Sequence, residues 1–350
     1  MRWTTARDII AAMVRIGGVV ALVIASIAAS GSAPVSAQPA KPAPTANQRA
    51  TDLLWTAIET KYSYRDRLGL NWKRLFASHR KQLVGAATPA EFAAAAAKLL
   101  ASAKDPHIWL TIGATIVGSY TATPTLNFQR DAIFRLVPTL KDRGRCIATG
   151  ALGNGIIYVL IHSWRRERCG GLAAELAALI GQPGVANRMI IDVRPNGGGD
   201  ETIARQVAAS FVSAPVVYAQ HVFRDASAPR GFSAPSKRVL QPAPVERRYR
   251  GKVAVLTGPM CMSSCEAFLL MMKAAGVPLV GETSRGASGN PQPIDLENGV
   301  VVFIPSWKAM RADGSALEGV GVSPDIKVTA RPTATTDPVI DAAIRALAAP

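Results

Sequence analysis

Continuous apolar runs alternate with amphipathic stretches of helical period along the second half of this chain. Gly155-Ile156-Ile157-Tyr158-Val159-Leu160-Ile161, Arg188-Met189-Ile190-Ile191-Asp192-Val193-Arg194 and Val253-Ala254-Val255-Leu256-Thr257 lack the polar alternation of a strand with one wet face. Such runs predict strands buried on both faces. Leu279–Gly281 and Val300–Pro305 predict two more strands. Leu172–Ile180, Thr202–Phe211, Glu266–Ala275 and Asp337–Leu347 read as helices between and after them. Strands that alternate with helices predict an α/β fold, a mixed sheet with crossover helices.

The first half has a different pattern. From Asn47 to Lys104 apolar residues recur at helical spacing, as in Leu53, Leu54, Ala57 and Ile58, and Thr88-Pro89-Ala90-Glu91 is a helix start with proline at the first position. Residues 47–104 therefore predict a small helical subdomain ahead of a core spanning 105–350. Ile108 to Phe134 alternates weakly and predicts short strands, whereas residues 213–250, rich in Pro, Ser and Arg, predict a long surface excursion. No internal repeat is found.

Ahead of the helices, Arg2, Arg7 and Arg15 precede an apolar run from Ile16 to Ala29, followed by the small-residue site Val35-Ser36-Ala37. This is the pattern of a signal peptide over residues 1–37, with a flexible spacer over 38–46, so the mature protein is expected to be periplasmic or secreted. The 350 residues are 49% hydrophobic and 18% charged, a globular composition. The net charge is +16, and loss of Arg2, Arg7, Arg15 and Asp8 with the signal leaves 16 − 2, about +14. The basic residues are scattered without interleaved aromatics, so no nucleic-acid partner is expected, and an anionic envelope surface fits the charge better. Cys146, Cys169, Cys261 and Cys265 allow three disulfide pairings in an exported protein. Cys146 and Cys169 flank a predicted strand and are the favoured pair; Cys261 and Cys265 are close enough to bond or to remain buried thiols. Their spacing does not suit zinc, and no cofactor or metal is expected.

Candidate chemistry gathers at two strand-to-helix junctions. After Val253–Thr257 the chain turns at Gly258-Pro259 and meets Ser263 and Ser264 just before a helix. A serine there aims its hydroxyl at the space faced by the unpaired N–H groups of the helix start, although a serine before a helix also serves as an ordinary cap. After Asp192-Val193-Arg194 the run Pro195-Asn196-Gly197-Gly198-Gly199-Asp200 brings backbone close to a ligand. Its spacing matches neither a dinucleotide fold nor a phosphate loop, and it suits an oxyanion hole. Of four histidines, His79 lies on a solvated helix face, His162 ends a strand and His221 falls in the excursion, whereas His107 follows the helical subdomain and starts a strand. Glu318 is a lone carboxylate in a glycine-rich turn of small apolar residues.

Four segments in order, Asp105-Pro106-His107, Ile191 through Gly199, Ser263-Ser264-Cys265-Glu266 with Val280-Gly281-Glu282-Thr283, and Glu318-Gly319-Val320-Gly321-Val322-Ser323-Pro324-Asp325, resemble the tail-specific and C-terminal-processing serine peptidases, including the tricorn core. The resemblance spans about residues 50–330 and implies a ClpP/crotonase-like core that acts on peptide or protein substrates. The lysine base of the processing proteases falls at about Ala287 and is absent, so the tricorn-like layout is the one implied. In it Ser263 is the nucleophile, His107 the base and Glu318 its orienting partner. The N–H of Gly198 or Gly199, with that of Ser264, forms the oxyanion hole. Pro106 stands where the tricorn layout has a serine, and the stretch from His107 to Gly155 is too short for a PDZ domain. Those two departures keep a second reading open, a non-catalytic module of the same fold that holds a hydrophobic ligand or a peptide end.

Overall fold

The computed structural model describes residues 43–182, 186–228 and 230–349. The expected signal peptide, residues 1–37, lies outside the described residues.

Three helices come first: α1 (Ala46–Thr60), α2 (Trp72–Val84) and α3 (Pro89–Leu100). Thr45, Asn71 and Thr88 each accept a bond from a first-turn N–H, so each helix starts where a capping side chain relieves an orphan donor. There follow β1 (Trp109–Ile112), β2 (Thr115–Gly118), α4 (Arg130–Leu136), β3 (Lys141–Asp142), β4 (Ile147–Gly153), β5 (Ile156–Ile161), α5 (Arg166–Cys169) and α6 (Leu172–Ile180). The next elements are β6 (Arg188–Asp192), α7 (Glu201–Ala208), β7 (Val216–Phe223), β8 (Ser236–Leu240), β9 (Lys252–Thr257), α8 (Ser264–Ala274) and β10 (Leu279–Gly281). The chain closes with β11 (Pro291–Asp295), β12 (Val301–Pro305), β13 (Trp307–Arg311), β14 (Ile326–Lys327) and α9 (Pro338–Ala348).

The main sheet runs in the order β14-β10-β9-β6-β5-β4-β3. Its strands are parallel from β14 to β5, and β4 and β3 pair antiparallel at the far edge. It is the mixed α/β sheet expected. Successive residues of β6 serve opposite layers: Met189 and Ile191 pack with Leu176, Val207 and Phe268 of α6, α7 and α8, while Ile190 packs with Ile133 of α4 and Ile340 of α9. Helices on both faces are why these strands read as unbroken apolar runs. Burying each such side chain is worth about 1.5–3 kcal/mol.

The N-terminal helices share a separate core with a four-stranded antiparallel sheet, β11-β12-β1-β2, through Leu54, Phe92, Leu110 and Val302. Val301–Pro305 is a strand as expected, but it pairs with β1 rather than joining the main sheet. Residues 213–250, expected as a long surface excursion, contain regular strands. They hold β7 and β8, which with β13 form a three-stranded antiparallel sheet. The region from 108 to 134 does contain two short strands, and its last part begins α4.

A buried ion network ties the C-terminal end of β6 to α9. The Arg194 guanidinium is fully buried and donates to both Asp192 and Asp337 carboxylates and to the carbonyl of Asn127. It joins the end of β6 to the start of α9, and removing one partner would strand a buried charge. Cys146 and Cys169 are bonded, linking the start of β4 to α5. Cys261 and Cys265 are buried free thiols.

Candidate active site

Because β5, β6 and β9 are parallel, their C-terminal ends reach the same edge of the sheet, where ligand sites of open α/β folds form. Each ends in a turn of the site: Trp164 after β5, Gly197–Gly199 after β6, and Met260–Ser263 after β9.

Ser263 immediately precedes α8 with φ 58° and ψ −126°, a backbone conformation that non-glycine residues rarely take. Its N–H donates to the Ala287 carbonyl at 2.7 Å, and its own carbonyl accepts from Ala267 N–H at 3.2 Å. The side chain makes no capping bond to the helix, so Ser263 is not an ordinary cap and its hydroxyl is free. The neighbouring Ser264 hydroxyl is spent on the Gly199 carbonyl at 2.6 Å.

The glycine turn is fitted against this serine. Gly198 (φ +99°) and Gly199 (φ +144°) sit where a side chain has no room. A Cβ on Gly198 would lie 2.8 Å from the Met262 carbonyl oxygen and 2.9 Å from Ser263 Cβ. A Cβ on Gly199 would lie 2.3 Å from the Trp164 backbone carbon. Trp164 N–H donates to the Gly198 carbonyl and Asp200 N–H to the Trp164 carbonyl, lacing the turn to the end of β5. Gly198 N–H is not a free donor, because it is bonded to Asn196 Oδ1 at 2.8 Å. Of the three expected donors, the N–H groups of Gly199 and Ser264 remain without an acceptor among the described residues.

His107 lies just ahead of β1 and is 5% exposed. Its N–H donates to Asp105 Oδ1 at 2.8 Å, and its Nδ1 sits 3.9 Å from the same oxygen. Tyr62 donates its hydroxyl to Asp105 Oδ2 at 2.9 Å, fixing that carboxylate. Burial holds the imidazole below its ordinary pKa, against the pull of Asp105 and helped by Arg285. No hydrogen bond joins His107 to Ser263 or to Glu318. The carboxylate nearest the imidazole is that of Asp105, although Nδ1 makes no hydrogen bond to it. Glu318 instead accepts from Ser288 N–H at 2.8 Å, and burial together with the nearby Asp105 raises its pKa well above the usual carboxylate range.

Two carboxylates of this site received no role from the sequence, although both lie in quoted motifs. Asp105 stands two residues before the histidine, a spacing that lets a carboxylate cap the histidine's own N–H. Glu266 stands three residues after the serine, the spacing of a capping box. It is fully buried, and burial pushes its pKa up to about 7 against the bonds donated to it by Ser284, Gly286 and Ala287. A cavity of about 510 Å³ opens on Ser263 and Ser264, with Thr202, Arg205, His221 and Trp307 on its walls. His221, expected in the Pro- and Ser-rich excursion, is thus on β7 at the mouth of the site, its ring 4.5 Å from that of Trp307. His107 is not on the cavity wall. Among the described residues no group of three His, Cys, Asp or Glu side chains is arranged to hold a metal ion.

A parallel α/β core with a strained serine at a strand-to-helix turn, facing a glycine turn with open N–H groups, defines an acyl-transfer layout. The profile of peptidase family S41 matches residues 155–328, which include the serine, the glycine turn and Glu318. The chain belongs to that family. It is 24% identical over 177 residues to the carboxy-terminal processing protease CtpB of Bacillus subtilis, covering 50% of this chain and 34% of that protein. The match thus spans about a third of that relative's length. Among solved structures, a Parabacteroides merdae protein assigned as a peptidase superposes with a TM-score of 0.71 at 22% identity, covering 87% of this chain and 98% of that one. The tricorn protease superposes with a TM-score of 0.52 at 17% identity over 86% of this chain and 36% of its own. At those identities the superpositions speak to the fold alone.

Proposed function

We propose that this chain is an exported serine peptidase that cleaves peptide bonds of proteins or peptides through an acyl-enzyme on Ser263. The observation that carries the reading is the backbone of Ser263, held at φ 58° with its hydroxyl uncommitted beside the open N–H groups of Gly199 and Ser264. Strain of this kind costs about 1–3 kcal/mol and persists where the surroundings impose it.

In the proposed reaction the Ser263 Oγ attacks the substrate carbonyl, and its proton passes to His107. With Nδ1 turned toward Asp105, Nε2 is the nitrogen left to take it, and Asp105 stabilises the imidazolium that forms. The tetrahedral oxyanion accepts bonds from Gly199 and Ser264. Collapse breaks the C–N bond, His107 returns the proton to the leaving amine, and water then hydrolyses the ester by the same route. The Ser263–His107 bond forms as substrate fills the site, since such bonds are often loose in empty enzymes. Glu318 acts one step back, holding Ser288 beside the Ala287 carbonyl that fixes Ser263. Export is supported by the N-terminal pattern and by a disulfide between Cys146 and Cys169. The net positive charge favours an anionic envelope surface.

Labelling with a fluorophosphonate probe tests this reading. The expected result is modification at Ser263 that is lost in His107→Ala. A folded protein that neither labels nor cleaves a casein or peptide library would refute it and leave the non-catalytic binding module.

A further inference from the structure

The carboxylate of Glu266 gathers three bonds beside the nucleophile, yet it faces away from solvent and cannot touch a substrate. Its Oε1 accepts from the Ser284 hydroxyl at 2.5 Å and from Gly286 N–H at 2.6 Å, and its Oε2 accepts from Ala287 N–H at 3.0 Å. The loop it grips is the one that sets the serine: Ala287 carbonyl receives Ser263 N–H, Ser288 N–H goes to Glu318, and Gly286 carbonyl receives Gly319 N–H at 2.7 Å. The Ser284 hydroxyl in turn accepts from Val322 N–H at 2.7 Å, continuing the network into the Glu318 turn.

Resting on the peptidase reading, we propose that Glu266 is the positioning residue of this site: its ionised carboxylate locks the 284–288 loop, and through Ala287 holds Ser263 in its strained, reactive backbone.

An unpaired, fully buried carboxylate is costly, since among the described residues no Lys or Arg forms an ion pair with it. The groups that face it through space are Glu318 and Tyr64 from other segments and Cys265 from its own helix, none a cation. A merely structural role would be met as well by a neutral side chain. Two backbone N–H donors and a hydroxyl that converge on it are served best by an acceptor-only group. A protonated Glu266 accepts more weakly from Gly286 and Ala287 and keeps Ser284 only if that hydroxyl turns to accept, so the acid form grips the loop less firmly.

The experiment compares wild type, Glu266→Gln and Ser284→Ala for fluorophosphonate labelling rate and for the pH dependence of peptide hydrolysis. Glutamine imitates the protonated acid and turns an N–H toward a donor. We expect a 10- to 100-fold loss in labelling rate and kcat with KM changed less than about threefold, the size of effect that a small misplacement of reacting groups produces. In wild type, both His107 and Glu266 must lose a proton, so log(kcat/KM) falls with a slope that approaches two once the pH lies below both pKa values. In Glu266→Gln the slope becomes one. A folded Glu266→Gln enzyme with wild-type kcat, or with the slope still two, overturns the proposal. If that variant does not fold, Ser284→Ala decides: it removes one of the three bonds, and a three- to tenfold slower labelling at unchanged KM supports the assignment, whereas wild-type labelling overturns it. A wild-type protein inert to the probe and to peptides refutes the peptidase reading itself, a result these variants cannot imitate.

Discussion

Gly198→Ala separates the cost of an unfavourable backbone from the cost of moving the nucleophile. Two contributions follow from the structure. At φ +99° any L side chain is strained, at about 1–3 kcal/mol. The new Cβ also meets the Met262 carbonyl oxygen at 2.8 Å and Ser263 Cβ at 2.9 Å, closer than real contacts allow, and neither neighbour is the free end of a flexible chain. Relief must come from a displacement of Met262 and Ser263, the overpacking case worth about 1–3 kcal/mol more. The matched control is Gly153→Ala, at φ +90° in the β4–β5 turn with nothing within 4 Å of its Cβ. The control carries the backbone cost alone. Unfolding free energies from urea titration should fall for both variants, by about 2–6 kcal/mol for Gly198→Ala and about 1–3 kcal/mol for Gly153→Ala. The fluorophosphonate labelling rate should fall about 10- to 100-fold only for Gly198→Ala. Equal labelling rates in the two variants would refute the claim that the glycine turn seats the nucleophile.

Asp105→Ala should lower kcat by about 100-fold or more, because the imidazole loses its carboxylate and the loop loses the cap on His107 N–H; Glu318→Gln should cost less, and the opposite ranking in steady-state hydrolysis would restore Glu318 as the histidine's partner. The Cys146–Cys169 bridge closes a loop with a sequence separation of 23, worth about 3 kcal/mol, so replacing both cysteines with serine should lower the thermal midpoint by about 5–10 °C; a shift under about 2 °C in calorimetry would show the bridge to be dispensable. Burial places His107 below its unfolded value, so the unfolded chain takes that proton first: its contribution to stability is complete above pH 6.5 and is lost as pH falls through the folded pKa. Glu266 runs the other way, since the folded pKa of about 7 exceeds the unfolded value of 4.5 and its contribution is full below 4.5 and lost as pH rises through 7. Urea titrations of His107→Gln and Glu266→Gln against pH should remove these opposite slopes one at a time, and parallel curves in both variants would contradict the assignment.

The main sheet was legible because its strands are covered on both faces. Burial of Ile190 toward α4 and α9 and of Ile191 toward α8 leaves no polar alternation, and an apolar run that short, bounded by turn residues, fits a doubly covered strand better than a helix. The three-stranded sheet was not legible. Its β7 carries Gln220 and His221 among apolar residues, and its pairing partner β13 lies more than 80 residues further on, beyond any local pattern. The sheet places Trp307 and His221 over the cavity at Ser263, so part of the site's wall was lost with it.

The same distinction between local and distant information separates the residues of the site. Ser263 and the glycine turn are local features: a strand ends, a helix begins, and the backbone groups left open are fixed by the order of residues around them. Which carboxylate serves the histidine is not local. Asp105 is two residues from His107 and Glu318 more than 200 away, and family resemblance favoured the distant one because it occupies the matching motif. The short Asp-Pro-His segment carries local information of its own, since a carboxylate two residues upstream can cap the histidine's N–H without any help from the fold. Glu318 makes a contact of its own with the loop. Its bond to Ser288 and that of Glu266 to Ala287 grip adjacent residues of one loop, and the carbonyl between them receives the N–H of Ser263. Two carboxylates with raised pKa values on one short loop make the seating of the nucleophile dependent on charge as well as on packing. If Glu266 and Glu318 both seat Ser263 as proposed, the double variant Glu266→Gln/Glu318→Gln should lose no more labelling rate than the worse of the two single changes, because both release the same loop.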